Sequence, residues 1–196
     1  IHDNAYAIGT VDFTGDMPVI LGPDGPSLGG FVCPATVIHA DLWKLGQLKA
    51  GDKVRFEAVD LDSAVALARA QQTAIAQLAP VSAPVTAIAP RSPIVKTISE
   101  ETHGIAVTYR PSGDRYLLVE YGPIVLDIAL RFRVHALMLW MQANKPAGVL
   151  ELTPGIRSLQ VHYDSLVLPL SALLDVLQQA EAALKGKRPD DATIKQ

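Results

Sequence analysis

The sequence predicts a chain in two parts, a β-rich N-terminal part followed by a part of the α+β class. Two observations support this division. Between residues 6 and 59, short apolar runs alternate with turn clusters rich in Gly, Pro and Asp, which is typical of strands joined by tight turns. Beyond residue 97 the apolar pattern combines strand and helix periods, which indicates helices packed on a small antiparallel sheet.

The N-terminal part is predicted to hold four strands and one short helix. The short helix is expected at Asp41 to Gln47, and the strands at Ala7 to Phe13, Pro18 to Leu21, Phe31 to Ile38 and Lys53 to Ala58. Four strands make about half of an ordinary barrel or sandwich and would leave unpaired edges. We therefore expect this part to complete a larger domain whose other strands lie upstream.

A helix and a linker are predicted between the two parts. Asp62 is in position to cap a helix from Ser63 to about Leu78, which must end before Pro80. The following stretch contains four prolines among small residues, a composition that favours an extended, semi-rigid backbone. The predicted divisions are residues 1–62, the helix and linker of 63–97, and residues 98–196.

The C-terminal part is predicted to have the order ββαββα. Its two helices are expected at Ile124 to Ala143, before Pro146, and over the apolar stripe from Leu170 to Leu184. Its strands are expected at Ala106 to Tyr109, Tyr116 to Tyr121, Val149 to Leu152 and Ser158 to Tyr163. Helices collected on one face of such a sheet define the α+β class.

Composition argues against several functions. A net charge of −3 and 6% aromatic residues provide no basic surface for nucleic acid. The apolar stretch from Ile124 to Met141 is interrupted by charges, so no membrane span is expected. A single cysteine, Cys33, excludes an intrachain disulfide and fits a reducing compartment, so the cytoplasm is the expected location.

Familiar cofactor and metal motifs are not found. The sequence has neither a phosphate-binding loop nor a dinucleotide-binding glycine motif, and its five histidines lack metal-ligand spacing, so no metal is expected. Cys33 is expected to be a small buried apolar residue, and Trp43 and Trp140 are expected to anchor cores. His135 follows Arg131 by one helical turn and is expected on a solvated helix face.

The run from Gly22 to Gly30 is the clearest candidate for a binding loop. Four glycines in nine residues allow close approach to the backbone, and Asp24 and Ser27 supply a carboxylate and a hydroxyl. Backbone N–H groups in such a loop can hold a carboxylate oxygen. A plain hairpin connection would use the same turn-forming residues, so both interpretations stay open. The polar segment from His2 to Tyr6 is a second candidate, or an exposed terminus.

Four stretches carry a family resemblance. Ile1 to Val37 and Leu42 to Phe56 resemble the end of the allophanate hydrolase subunit two-like (KipA-like) segment of urea carboxylases. Gly113 to Gly122 and Glu151 to Asp164 resemble the start of the subunit one-like (KipI-like) segment. The resemblance implies that residues 1–62 complete a cyclophilin-like β-barrel, and that residues 98–196 form the α+β domain that precedes another such barrel.

The resemblance also implies an activity and its partners. In this family a carboxyl group carried on biotin is transferred to urea or guanidine, which gives allophanate or its analogue. Biotin would be carried on a domain outside this chain, and ATP would be used by a separate biotin carboxylase domain. The expected partners are the remainder of the carboxyltransferase region, the biotin carboxylase domain and the biotin carrier domain. The isolated chain is expected to be inactive.

Site residues follow from the resemblance position by position. Asp24, Ser27 and Asp3 become candidates for catalytic groups, and the candidates for substrate or biotin binding are Asn4, Tyr6, Gly29 and Gly30. Two other functions use similar folds: a KipI/KipA-type 5-oxoprolinase component, and a regulatory module that binds a kinase without catalysis. The order of the two segments in one chain favours the urea carboxylase.

Overall fold

The part of the chain described by the computed structural model, residues 4–26, 28–83, 85–89 and 91–185, contains three antiparallel sheets. The N-terminal elements are β1 (Asn4–Ala5), β2 (Thr10–Thr14), β3 (Met17–Ile20), β4 (Leu28–Gly29), β5 (Val32–Thr36), a 3-10 turn (His39–Asp41), α1 (Leu42–Leu45) and α2 (Leu61–Gln77). The later elements are β6 (Lys96–Ile98), α3 (Glu100–His103), β7 (Val107–Pro111), β8 (Tyr116–Tyr121), α4 (Ile128–Asn144), β9 (Val149–Pro154), β10 (Ser158–Tyr163) and α5 (Leu170–Leu184).

Two small sheets make up the N-terminal part. One has the order β3-β2-β5 and the other pairs β1 with β4. Within the described ranges these strands do not close into a barrel. The larger sheet leaves many apolar side chains in contact with solvent: Phe13, Met17, Val19 and Val32. The observed architecture is therefore mixed α and β, with three sheets and few helices.

Three expectations for the N-terminal part are wrong. Lys53 to Ala58 forms no strand and is exposed throughout, because no described strand lies alongside it to accept its hydrogen bonds. Cys33 is exposed rather than buried, because its strand has an uncovered face. Trp43 is 58% exposed on α1, a helix of only four residues that covers no core.

The helix α2 begins slightly earlier than predicted. Its N-cap is Asp60, whose side chain accepts a hydrogen bond from the Ser63 N–H at 2.7 Å, so the predicted cap at Asp62 is wrong. The helix already starts at Leu61, so Asp62 lies inside its first turn, where a carboxylate interacts favourably with the positive end of the helix dipole. The hydrogen bond from Ser63 is the main cause that lowers the pKa of Asp60. The helix ends at Gln77, and its C-cap Leu78 has a left-handed conformation.

The C-terminal part is built on a five-stranded antiparallel sheet of order β6-β7-β8-β10-β9. Apolar side chains from one sheet face and from α4 and α5 form a common core, whose fully buried members include Tyr109, Val119, Leu137, Leu159, Val161 and Leu177. Trp140 packs against this core as expected. The strands Tyr116–Tyr121 and Ser158–Tyr163 and the helix Leu170–Leu184 have the predicted bounds.

Two details of the C-terminal part differ from prediction. The additional strand β6 pairs with β7, and the short α3 follows it, so the order is longer than ββαββα. The helix α4 starts at Ile128 rather than Ile124, because the Asp127 side chain caps it by accepting the Ala129 N–H at 2.8 Å. The preceding residues Ile124, Val125 and Leu126 remain exposed.

A buried carboxylate joins both helices to the sheet. Glu181 of α5 has 0% exposure, and its two oxygens accept hydrogen bonds from the Tyr121 hydroxyl and the Arg133 guanidinium. Arg133 also donates to the backbone oxygen of Leu184 at 3.1 Å. Burial, then the charge of Glu181, raises the pKa of Tyr121 well above its ordinary value, so Tyr121 stays a donor. This cluster fixes α4 and α5 against β8.

We predict that Glu181→Ala destabilises the chain by about 3–5 kcal/mol, because it leaves the Arg133 guanidinium buried without its counter-charge. The measurement is urea unfolding of the chain. The control is Asp175→Ala on the exposed face of the same helix, where a change within about 0.5 kcal/mol is expected. Equal effects of the two substitutions would contradict a role for the buried cluster.

Candidate functional site

The strand pair β1 and β4 brings three of the candidate residues together. Asn4 lies opposite Gly29 in this antiparallel pair. The Tyr6 hydroxyl accepts a hydrogen bond from the Phe31 N–H at 2.9 Å. A Cβ at Gly29 would overlap the Tyr6 hydroxyl and ring, so only glycine fits there. Gly30 follows directly and is exposed.

The loop that contains Asp24 is a tight turn with an open side. The Gly25 N–H donates to the Gly22 carbonyl at 3.1 Å, and the Asp24 side chain is exposed. Within the described residues no hydrogen bond joins Asp24 to Asn4, Tyr6 or Gly29. Asp3 and Ser27 lie outside the described residues. The structure therefore groups Asn4, Tyr6 and Gly29, and no described contact joins Asp24 to this group.

Two residues of β10 in the C-terminal sheet form hydrogen bonds to the β1 segment that contains Asn4. The Ser158 hydroxyl donates to the Asn4 side-chain oxygen at 3.1 Å. The Gln160 side chain donates to the Ala5 backbone oxygen at 3.3 Å. Both β10 residues are buried. Contacts between β1 and β10 thus join segments that are more than 150 residues apart in the sequence.

A cleft of about 270 Å³ opens between the two parts of the chain, next to the loop. Ile8, Pro23, Val37 and Leu42 line it from the N-terminal side, and Asp114, Arg115, Tyr116 and His162 line it from the C-terminal side. His39 at its border forms a hydrogen bond between Nε2 and Arg115 at 3.0 Å, and its backbone N–H donates to Asp114 at 2.8 Å. Arg115 forms an ion pair with Asp164 at 2.9 Å.

The surroundings of both cleft histidines lower their pKa and so favour the neutral form. Arg115 can only donate, so Nε2 of His39 must be the acceptor in their hydrogen bond. Burial, followed by the charge of Arg115, lowers the pKa of His39. The same two causes in the same order lower the pKa of His162, whose ring stacks on Tyr116 with centroids 4.3 Å apart. The His39 imidazole thus accepts a hydrogen bond from Arg115, and the His162 ring offers a flat face to Tyr116.

Sequence reasoning missed this cleft. His39 and Arg115 are 76 positions apart and belong to different predicted domains, so no local spacing connects them. The one available signal was the turn Gly113 to Arg115, which carries two charges next to a buried strand. Across the described residues no group of three or more His, Cys, Asp or Glu side chains could hold a metal ion. In the same part of the chain, no helix is long and apolar enough to cross a membrane.

Two family models match the chain. The model described as carboxyltransferase domain, subdomain A and B, matches residues 1–58. The model described as carboxyltransferase domain, subdomain C and D, matches residues 107–195. These two matches define the class of both parts as carboxyltransferase domain.

Individual relatives narrow the family. Urea amidolyase from Lachancea kluyveri is 37% identical over 190 residues, which are 94% of this chain and 10% of that protein. The crystal structure of urea carboxylase from Kluyveromyces lactis superposes with a TM-score of 0.86 at 34% identity, over 95% of this chain and 17% of that one. A 5-oxoprolinase component from Haemophilus influenzae is 39% identical over only 62 residues, 32% of this chain and 20% of that protein.

The chain belongs to the urea amidolyase and urea carboxylase family, as the resemblance of its four stretches predicted. It spans about a tenth of the length of the Lachancea urea amidolyase. The chain therefore corresponds to one portion of the carboxyltransferase region of these much longer proteins.

The lowered pKa of His39 predicts a stability that depends on pH. Unfolding returns the imidazole to its ordinary pKa of 6.5, so in mildly acidic solution the unfolded chain binds a proton that the folded chain does not. The contribution of the neutral His39 to the unfolding free energy is complete above the pKa of the unfolded chain, 6.5, and is lost as the pH falls below that pKa. In His39→Gln the side-chain oxygen can still accept from Arg115 but does not titrate, so a smaller loss of unfolding free energy between about pH 7.5 and 5 is expected.

Urea unfolding at stepwise pH measures this loss. His162 and Asp114 line the same cleft, and Asp164 acts on His39 through its charge; all three are unchanged in the variant, so His39 is the one titrating group that His39→Gln removes. His135→Gln on α4 is the matched control, since it removes a histidine outside the cleft. Identical pH slopes for wild type and His39→Gln would contradict the assignment.

Proposed function

We propose that this chain forms part of a carboxyltransferase that carboxylates urea or guanidine with the carboxyl group of carboxybiotin. The observation that carries the proposal is the succession of the two carboxyltransferase models in one chain, residues 1–58 and then 107–195. The relatives that align with nearly the whole chain are named urea amidolyase and urea carboxylase.

Biotin would reach this site from a carrier domain elsewhere in the protein, and ATP would be consumed by a biotin carboxylase domain. When bound, carboxybiotin supplies the carboxyl group, which leaves a biotin nitrogen and forms a new C–N bond with the substrate amine, while one amine proton returns to that nitrogen. The exposure of Asp24 and Gly30 fits a ligand that is delivered from outside the chain. The N–H groups of Gly25 and Phe31 already bond to Gly22 and Tyr6, so other loop amides would have to bind the ligand.

The residues of the loop would carry out two tasks. Donors of the Gly22 to Gly30 loop, with Ser27 among them, would stabilise the oxygen on which negative charge develops. The carboxylate of Asp24 or Asp3 would accept an N–H of the substrate amine and remove its proton. Asn4 and Tyr6, held beside Gly29, would bind and orient the substrate or biotin. A guanidinium would suit a carboxylate especially well, because paired N–H donors match two oxygens.

The N-terminal part would be one portion of a cyclophilin-like β-barrel. The exposed apolar side chains of Phe13, Val19 and Val32 support this, because a complete domain would cover such a face. We propose domain limits at residues 62 and 98, with most of the helix α2 and a linker between them. The remaining strands and the second barrel would come from the rest of the carboxyltransferase region. The exposed thiol of Cys33 fits a reducing compartment, so we propose the cytoplasm as the location.

The alternative is a 5-oxoprolinase component, which rests on the 62-residue match to the Haemophilus protein. That match covers only 32% of this chain and leaves the rest without a counterpart. A regulatory module without catalysis is a third outcome. An assay of the intact protein that contains this chain separates the three: ATP-dependent turnover is measured with urea, guanidine and 5-oxoproline side by side. Turnover of urea or guanidine supports the proposal, turnover of 5-oxoproline alone supports the alternative, and no turnover favours the regulatory module.

We predict that Asp24→Asn lowers the turnover of urea or guanidine by about a hundredfold or more, since the amide cannot accept the amine proton. The measurement is kcat and KM in the intact protein with saturating ATP and bicarbonate. Asp16→Asn is the matched control, because Asp16 lies on another exposed turn of the same part. A loss below about threefold would remove Asp24 from the catalytic groups and leave Asp3 as the candidate carboxylate.

The barrel proposal predicts a difference in hydrogen exchange between the isolated chain and the intact protein. Residues 53–58 alternate apolar and charged side chains but have no strand partner among the described residues, so a strand from the remainder of the protein should protect their amides. Exchange about tenfold or more slower is expected in the intact protein. The amides of α4 should be protected in both samples. Equally fast exchange of residues 53–58 in both would contradict a completed barrel.

A further inference from the structure

Polar side chains are buried on the sheet face that lies opposite the helices. Along β10, Leu159 and Val161 point into the core with α4 and α5, and the alternate residues of the strand point the other way. Those residues, Ser158 and Gln160, have exposures of 0% and 4%. Strand residues on the side away from the core are ordinarily solvated. Their burial means that another part of the chain covers this face.

The cover is the segment that contains β1. Buried polar groups need hydrogen-bond partners, and both partners come from this segment. Gln160 donates to the backbone oxygen of Ala5, a contact that depends only on the position of the chain. Ser158 instead donates to the side-chain oxygen of Asn4. Ser158 thus acts on the orientation of one side chain, and Gln160 acts on the backbone beside it.

The orientation of the Asn4 amide has a chemical consequence. An asparagine amide has an acceptor oxygen at one end and two N–H donors at the other. Because its oxygen faces the Ser158 hydroxyl, its NH₂ group faces away from β10. Asn4 is half-buried, so the NH₂ group can reach a ligand. It lies in the same pair of strands as Gly29, at the end of the glycine-rich loop.

We propose that Ser158 is a positioning residue that holds the Asn4 amide so that its NH₂ group donates to a carbonyl or carboxylate oxygen of the bound ligand. This inference rests on the proposed function, in which Asn4 binds substrate or biotin. The ligand class is therefore an acceptor oxygen, as in urea or the transferred carboxyl group. Without Ser158 the amide can rotate and present its oxygen, which repels such a ligand.

A double-substitution cycle in the intact protein tests the proposal. Ser158→Ala, Asn4→Ala and the combined variant are compared by kcat/KM for urea and guanidine. Ser158→Ala is expected to lower kcat/KM about three- to tenfold, the effect of one hydrogen bond. In the Asn4→Ala background the same substitution is expected to change kcat/KM less than about twofold, because the side chain it orients is gone. Independent, additive losses would overturn the positioning role.

Gln160→Met is the matched control on the same strand. It removes a buried hydrogen bond to the backbone, so its effect should persist in the Asn4→Ala background, as a purely structural effect does. If Ser158→Ala does not fold, Ser158→Cys keeps the volume with a weak donor, and the same masking by Asn4→Ala is expected. If the wild type turns over neither urea nor guanidine, the proposed function and this role are rejected together. If it does and the losses add, only this role is rejected.

Discussion

The arrangement of this chain depends on burying both faces of the five-stranded sheet. One face is covered by α4 and α5 through apolar contacts, which place few limits on orientation. The other face exposes polar groups to its cover, and a polar face can be buried only by a layer that returns its hydrogen bonds. The β1 segment does so through the Asn4 side chain and the Ala5 backbone. The position of the candidate site on the sheet is thus fixed by direction-dependent contacts.

Buried charges strengthen the same arrangement at the end of β8. Glu120 faces the polar side and pairs with Arg110 and Arg157, while the next residue, Tyr121, faces the core and pairs with Glu181. Arg157 also donates to the backbone oxygens of Tyr121 and Gly122, which fixes the turn that follows the strand. Charges buried away from water are costly unless they are paired, so any arrangement that separates these partners is disfavoured. Here they hold the C-terminal end of β8 through contacts on both faces of the sheet.

The sequence predicts the C-terminal part well and the N-terminal part poorly, for a physical reason. The strand Tyr116–Tyr121 and the helix Leu170–Leu184 bury their apolar faces within this chain. The spacing of their apolar residues therefore predicts the observed elements correctly. Lys53 to Ala58 and Trp43 have strand or core patterns, but the described residues offer them no paired strand or covering layer, and the chain spans only a tenth of the length of the Lachancea urea amidolyase. A pattern predicts burial correctly only when the covering layer is present.

The same limit separates the site residues that could be predicted from those that could not. Asn4, Tyr6 and Gly29 come from a continuous family resemblance, and the structure places them in one group, although their roles stay proposals. The pair of His39 and Arg115 had no signal, because its members lie in different parts of the sequence. Ser158 could not be predicted for a different reason, because a small polar residue in a regular strand carries no sequence signal for a role in a site.

The candidate loop is fixed on one side and open on the other, and this asymmetry fits the chemistry proposed for it. Gly29 is held against Asn4 and Tyr6, and Pro23 lines the cleft that also contains Arg115. Between these two supports, Asp24 faces solvent. Groups that stabilise developing charge act best when they are already in place before the ligand arrives. A carboxyl group carried in by a separate domain needs an open approach to the same groups. A loop with its backbone fixed on one sheet and its carboxylate exposed meets both requirements, and it requires the C-terminal part as a rigid support.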